Sequence, residues 1–355
     1  GYIENEVDLN SRGSCGQKCS NYKHAKSVGC YLPDKQYCGK HRRCKGNVHD
    51  CKFFHADATV CISDKPYRRY DWITYEDQQK FGRQGTCNNL MKVDSWWRFL
   101  YHCSYCICLC DDQYSPTSDR YISLRPVVSD VAEGMIVTGI KFTKVKGVIH
   151  MQVQQGKAMA QGQVNHETLR WVEVDPIAVG TKEYVENVDY FTLMYEARNI
   201  DLDHLKAPKR HVVTGVKFRM LGSHVNMEMW VTPINFTTGE MTPTMSYWIS
   251  NDNTPVMTKN PREELRLNDV DDPRKSKSES LVDSRSDMFV TLQPTSLQAD
   301  VAQLTVPFFD AQPVAPNPSS WLEGLQMYHR GRSGFGGFIG FRIFNYNLTY
   351  HFGDM

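Results

Sequence analysis

Four thiols crowd into eight residues at Cys103-Ser-Tyr-Cys106-Ile-Cys108-Leu-Cys110, and eight more lie upstream at Cys15, Cys19, Cys30, Cys38, Cys44, Cys51, Cys61 and Cys87. Two chemistries suit such a set. As thiolates, Cys103 and Cys106 have the two-residue gap of a zinc-ligand pair, but a zinc ribbon needs a second pair at a fitting distance. As disulfides, an even number of cysteines in a short, turn-rich segment forms a cross-linked framework proper to an oxidising compartment. Disulfides are the reading adopted. Spacing leaves their connectivity open.

Other chemistry-bearing residues are sparser. Trp96, Trp97, Trp230, Trp248 and Trp321 offer flat apolar faces that could stack on sugar rings, although large aromatics are more often packed inside. Asn268-Asp-Val-Asp-Asp-Pro273 sets Asp269, Asp271 and Asp272 on one loop, a carboxylate group that could hold calcium. No EF-hand-like pattern accompanies it, and a solvated loop is the commoner origin of such a run. Asn235-Phe-Thr237 and Asn347-Leu-Thr349 are acceptors for N-glycosylation on a secretory route. The nucleophile elbow, the paired-histidine zinc motif, the phosphate loop and the dinucleotide fingerprint are all missing.

The elements that must position these residues divide at the cysteines. Residues 1–112 form a cysteine-rich head, poor in aliphatic side chains and expected to be ordered by cross-links; its first 14 residues read as loose. The sequence predicts a short helix from Asp94 or Ser95 through Tyr101. On an extended strand, Cys106, Cys108 and Cys110 would share one face and Ile107 and Leu109 the other. Residues 1–110 carry 17 basic against 11 acidic side chains, and the remainder 24 against 29. The basic head could attract an anionic partner such as a sulfated glycan, or simply complement an acidic body.

Residues 113–355 contain no cysteine and read as strands over 121–128, 135–145, 148–154, 169–174, 189–194, 211–220, 225–232, 245–250, 288–292 and 338–344. Ile136-Val-Thr-Gly139-Ile-Lys-Phe142 recurs as Val212-Val-Thr-Gly215-Val-Lys-Phe218. The match continues without a gap, so residues 135–154 and 211–230 form an internal repeat. Each copy is a strand pair turning at Lys146-Gly147 or Gly222-Ser223, with a glycine that marks a bulge or close backbone approach. The expected fold is mainly β: a duplicated β-sandwich or jelly-roll-like body, a C-terminal closing strand, and a small disulfide-rich head containing a short helix.

Arg69-Tyr-Asp-Trp72, Ser95-Trp-Trp97, His102-Cys-Ser-Tyr-Cys106 and Ser118-Asp-Arg-Tyr-Ile-Ser-Leu124 form a joint motif set with the Val-Thr-Gly repeats. Trp248-x-Ser-Asn-Asp-Asn-Thr254, Thr305-Val-Pro-Phe308 and Gly336-Gly-Phe338 extend it. Over roughly residues 30–350 the chain resembles a secreted arthropod, chiefly insect, family catalogued only as a domain of unknown function. The resemblance implies an extracellular protein and brings no catalytic residue or substrate.

Taken together, the sequence leads to a secreted, extracellular structural or interaction protein without catalytic activity, acting by surface binding or assembly. Its expected partner is an extracellular protein or a second copy. No apolar run is long enough to span a membrane, and no nucleic-acid partner is expected. There is no signal peptide and Gly1 is not an initiator, so the chain reads as a processed or trimmed form. A carbohydrate-binding, lectin-like module is the alternative. A hydrolase with an unrecognised site is a second, which a pocket holding two carboxylates, or a carboxylate and a histidine, would support. No cofactor is expected beyond calcium.

Overall fold

The computed structural model describes residues 1–16, 18–28, 42–55, 57–113, 115–253 and 261–351. Cys30 and Cys38 lie outside them. Tyr105–Asp111 is the hub strand of the head. It sits second in a four-stranded sheet, between Tyr2–Asn5 and Asn47–Phe54, with Ala25–Lys26 at the far edge. The expected alternation holds. Cys106 and Cys108 are buried with Tyr2, Leu9, Tyr22 and Val48, while Tyr105 and Ile107 are buried on the other side with Ile3, Phe54 and Val60.

Cross-links converge on this strand: Cys19–Cys106, Cys51–Cys108 and Cys44–Cys110 end on it, and Cys15–Cys103 ends just before it. A fifth bridge, Cys61–Cys87, serves a second sheet built from Ala58–Ile62, Tyr70–Tyr75, Lys80–Gly82 and Leu90–Val93. Each removes chain entropy from the unfolded state, typically stabilising by ~2–4 kcal/mol. This suits a segment whose apolar clusters are small.

Two local expectations for the head are corrected. The first residues are not loose, because Tyr2–Asn5 pairs antiparallel with the hub strand and is buried throughout. Nor is Asp94–Tyr101 a helix: Trp96–Arg98 and Tyr101–Cys103 form a hairpin turning at Phe99, which has φ 53°. Aromatic residues favour strands, and the Cys15 bridge pins the return strand at Cys103. The head's short helix is instead Glu6–Leu9, where the Asn5 side chain accepts a hydrogen bond from the Val7 N–H.

The body is built on long hairpins. Met135–Val145 pairs with Val148–Ala158, and His211–Leu221 with His224–Pro233; these are the two sequence repeats. Both turn through a glycine at positive φ, Gly147 at 80° and Gly222 at 63°. A third hairpin, Leu322–Arg332 with Phe335–Asn345, repeats the plan without the sequence identity. In each, the first strand carries a bulge at a glycine: Gly139, Gly215 and Gly324. In each, the second strand has a short parallel neighbour, respectively Tyr121–Ser123, Asn199–Leu202 and Phe308–Phe309.

The three units close into a ring. Val127–Val128 from the first lies against Gly215 and Val216 of the second. Leu205–Lys206 from the second lies against Leu325 and Gly324 of the third. Val314 from the third bridges to Ile140 of the first. Glycine is required at these crossings because a Cβ would meet the crossing segment at 2.7–2.9 Å. One apolar core fills the centre, with Phe142, Phe218, Met227, Met327 and Phe341 contributed by all three hairpins. The closing strand expected at 338–344 is thus half of a full third unit.

Head and body share packing. Body residues Ser296–Leu304 dock into the head, where buried Val301 packs with Ile3, Tyr70 and Ile73. Arg68 donates to Asp300 at 2.9 Å, both buried.

Candidate functional site

The Trp96–Cys103 hairpin separates its two tryptophans by alternation. Trp96 turns inward against Val7 and the Cys15–Cys103 bridge. Trp97 turns outward and is 68% exposed, and the tip beyond it is more open: Phe99 90%, Leu100 90% and Tyr101 67%. Trp97 also meets His102 edge-on at 5.0 Å. The base is held by the disulfide and by Asp57, whose carboxylate accepts from Ser95 N and Oγ. Four large apolar side chains on one fixed projection exceed the scattered exposure normal for a surface.

The remaining predicted aromatic platforms are less available. Trp321 is fully buried and donates its indole N–H to Gln163 O at 2.8 Å. Trp230 and Trp248 are half-buried against each other at 4.9 Å, with Lys217 over Trp248 at 4.5 Å. Of the five, Trp97 is the one that stands open.

A second feature lies at the far end of the hub strand. A cleft of about 920 Å³ runs between head and body and gathers cations from separate parts of the chain. Several are answered by carboxylates: Arg120 by Asp111 at 2.7 Å, Lys144 by Asp119 at 3.0 Å, Arg68 by Asp300, and Arg274 by Asp272 at 2.7 Å. Five are not. Arg42, Arg43, Lys45, Arg69 and Arg198 meet no carboxylate within ion-pair distance among the described residues. Arg42 donates to Lys65 O, Arg43 to Ser27, and Arg69 to Arg42 O at 2.9 Å. Arg198 lies 4.3 Å over the Tyr195 ring. Low-dielectric walls lined by unmatched cations concentrate positive potential and favour anions. The cleft also holds the carboxylates Asp111, Asp112 and Asp119, of which Asp111 and Asp119 are engaged in ion pairs.

The other predicted positions are dispersed. Asn235 is exposed and its Oδ1 accepts from Thr237 N at 2.9 Å, whereas Asn347 is half-buried with Oδ1 accepting from Thr349 Oγ1 at 2.7 Å. On the acidic loop read as a candidate calcium site, two of the three carboxylates meet protein cations. Asp271 meets Lys275 Nζ at 2.7 Å, Asp272 is paired with Arg274, and Asp269 is exposed. Burial alone would raise the Asp272 carboxyl, but Arg274 outweighs it and holds the group below the ordinary carboxylate range. Sequence reading missed the cleft because its cations converge only through packing of the head on the first body unit.

Residues 1–153 match the family model described as "Domain of unknown function (DUF4803)". No curated protein matches the chain. The matched stretch covers the whole head, the open aromatic tip and the head side of the cleft. It runs past the last cysteine and ends within the second strand of the first body hairpin, so the likeness crosses the cysteine boundary.

Proposed function

We propose that this is a secreted extracellular interaction protein of insect type, glycosylated at Asn235 and Asn347, that acts by surface binding or assembly and not by catalysis. The exposed tip Trp97, Phe99, Leu100 and Tyr101 carries the reading, because it presents apolar area to solvent on a base fixed by a disulfide. Aromatic residues clustered this way serve as anchors in protein interfaces. Among the described residues, the five disulfides and the lack of a helix long and apolar enough to cross a membrane accord with an extracellular protein.

The test is the double variant Phe99→Ser/Leu100→Ser. Sedimentation of natively purified protein should show a self-assembly or a co-purifying partner that the variant loses, with thermal stability unchanged. A parent chain that sediments as a lone monomer, free of partners, would refute the proposal.

The unmatched cations of the cleft favour one second reading, the binding of an anionic glycan. Retention on immobilised heparin should fall to lower salt in Arg69→Ala/Arg198→Ala, while a neutral-glycan matrix retains neither form. Equal elution of the two proteins from heparin would remove this reading.

A further inference from the structure

The register of the head sheet sets two imidazoles side by side. Ala25 pairs with Val48, so the antiparallel pairing carried one residue outward brings His24 opposite His49. The register shift against the hub strand falls just beyond His49, where Asp50 has φ 49°, and such bulges re-aim side chains. The two rings meet edge to face with centroids 4.9 Å apart. Glu196, from the body loop between Tyr190–Thr192 and Asn199–Leu202, reaches the pair, with its Oε1 3.3 Å from His24 Nδ1. One ligand atom from each of the three residues lies within 4.8 Å of the other two.

The site is braced. His49 is 3% exposed, and its buried Nε2 has no hydrogen-bond partner among the described residues. An orphaned buried imidazole nitrogen carries a desolvation cost that a ligand would remove. Tyr195 stacks on the His49 ring at 4.0 Å, nearly parallel. Its hydroxyl donates to Asp50 at 2.7 Å and its backbone N–H to Asp111 at 3.0 Å, fixing the residue that precedes Glu196. Around the imidazoles stand the carboxylates of Glu196, Asp50 and Asp111, the last of them paired with Arg120, while the Arg198 guanidinium lies over the Tyr195 ring.

We propose that His24, His49 and Glu196 bind a divalent zinc ion that clasps the body loop to the head. Two imidazole nitrogens and one carboxylate oxygen are the donor set of zinc sites that leave a fourth position open. Bond lengths of about 2.0–2.1 Å around a tetrahedral ion place ligand atoms about 3.3 Å apart. The His24–Glu196 separation already has that value. Both side chains are exposed, at 60% and 55%, and can rotate to close the remainder onto the fixed His49. Tyr195 and Asp50 are the outer support of the site.

The proposal does not depend on the docking role of the aromatic tip, and its experiment uses the full chain with its disulfides intact. Chelator-treated protein is titrated with zinc chloride alone by calorimetry, alongside His24→Ala and Glu196→Gln. Both substitutions fall at exposed positions and leave the fold in place. The parent should take up one zinc per chain, and each variant should bind at least about tenfold more weakly. Hydrogen exchange should show zinc-dependent protection at residues 194–198 in the parent and none in Glu196→Gln. Failure of the parent to bind zinc stoichiometrically overturns the proposal. Uptake that is unchanged in both variants, or that leaves 194–198 unprotected, places the ion elsewhere and overturns it as well.

Discussion

Replacing Gly324 by alanine should destabilise the protein about as much as the same change at Gly139, although only Gly139 belongs to a recognisable sequence repeat. A Cβ at Gly324 would lie 2.7 Å from Leu205 O, and one at Gly139 would lie 2.8 Å from Ala315 Cβ and 3.0 Å from Val314 O. None of these obstructing atoms can rotate away, so the crossing segment must move by several tenths of an ångström. Overpacking of this kind costs about 1–3 kcal/mol. At Gly215 the nearest atom is a methyl of Val128 at 2.9 Å, with Val127 O at 3.1 Å. A valine rotamer change relieves part of that conflict, so Gly215→Ala should fall at the low end. The denaturation midpoint measures the cost if the m-value is unchanged. The Ala207 amide, which donates to Glu323 O at 2.6 Å, should lose exchange protection in Gly324→Ala. A silent Gly324→Ala beside a costly Gly139→Ala would refute the threefold equivalence and the close approach of Leu205.

Three further outcomes follow from the same contacts. Arg262 is fully buried, donates to Asp203 at 2.8 Å and lies 3.4 Å from Asp201; burial opposes its charge, but these carboxylates outweigh it and raise its pKa. Arg262→Leu should cost about 3–5 kcal/mol, and adding Asp203→Leu should recover part of it; equal losses in single and double variants would contradict a paired charge. Because Asp272 is held below its unfolded pKa, its pairing with Arg274 stabilises above about pH 4 and is lost as the pH falls through the folded value. The advantage of the parent over Arg274→Gln, up to about 1 kcal/mol for a half-exposed pair, should therefore be greatest near neutrality and shrink toward pH 2; a gap that widens on acidification reverses the sign and sinks the assignment. Reduction of the disulfides should strip protection from the Tyr105–Asp111 amides while the body hairpins stay protected, as hydrogen exchange would show; simultaneous loss would mean that the body core depends on the bridges.

What the sequence displayed was periodicity and identity. Cys106-Ile-Cys108-Leu-Cys110 revealed the two faces of the hub strand, since alternation survives whatever lies alongside. Val-Thr-Gly-x-Lys-Phe revealed two hairpins because five positions agreed at one offset. The third was hidden: Gly324 retains the crossing glycine, but Glu323, Gln326 and Met327 stand where the repeats have Thr, Lys and Phe, and a lone glycine carries too little information. The Trp96–Tyr101 run has no clean period, so propensity had to choose between helix and hairpin, and the choice was settled by the distant Cys15. His24 and His49 are 25 positions apart and meet only through strand register.

The cysteine boundary is therefore a boundary of chemistry and not of packing. The ring of hairpins is closed by its own crossings around an apolar core, and it has no need of cross-links. The head has two small apolar clusters on either side of the hub strand, and one of them is completed by Val301 from the body. Val301 sits at φ 55°, unusual for a β-branched residue, and yet is wholly buried. Backbone strain of that kind persists only where surroundings over-determine it. The buried Arg68–Asp300 pair and the Gln303 side chain, which accepts from Arg69 N at 2.7 Å, supply that constraint. The body thus fixes one side of the head while the disulfides fix the other, leaving the Trp97–Tyr101 tip projecting from a base that cannot fold back to cover it.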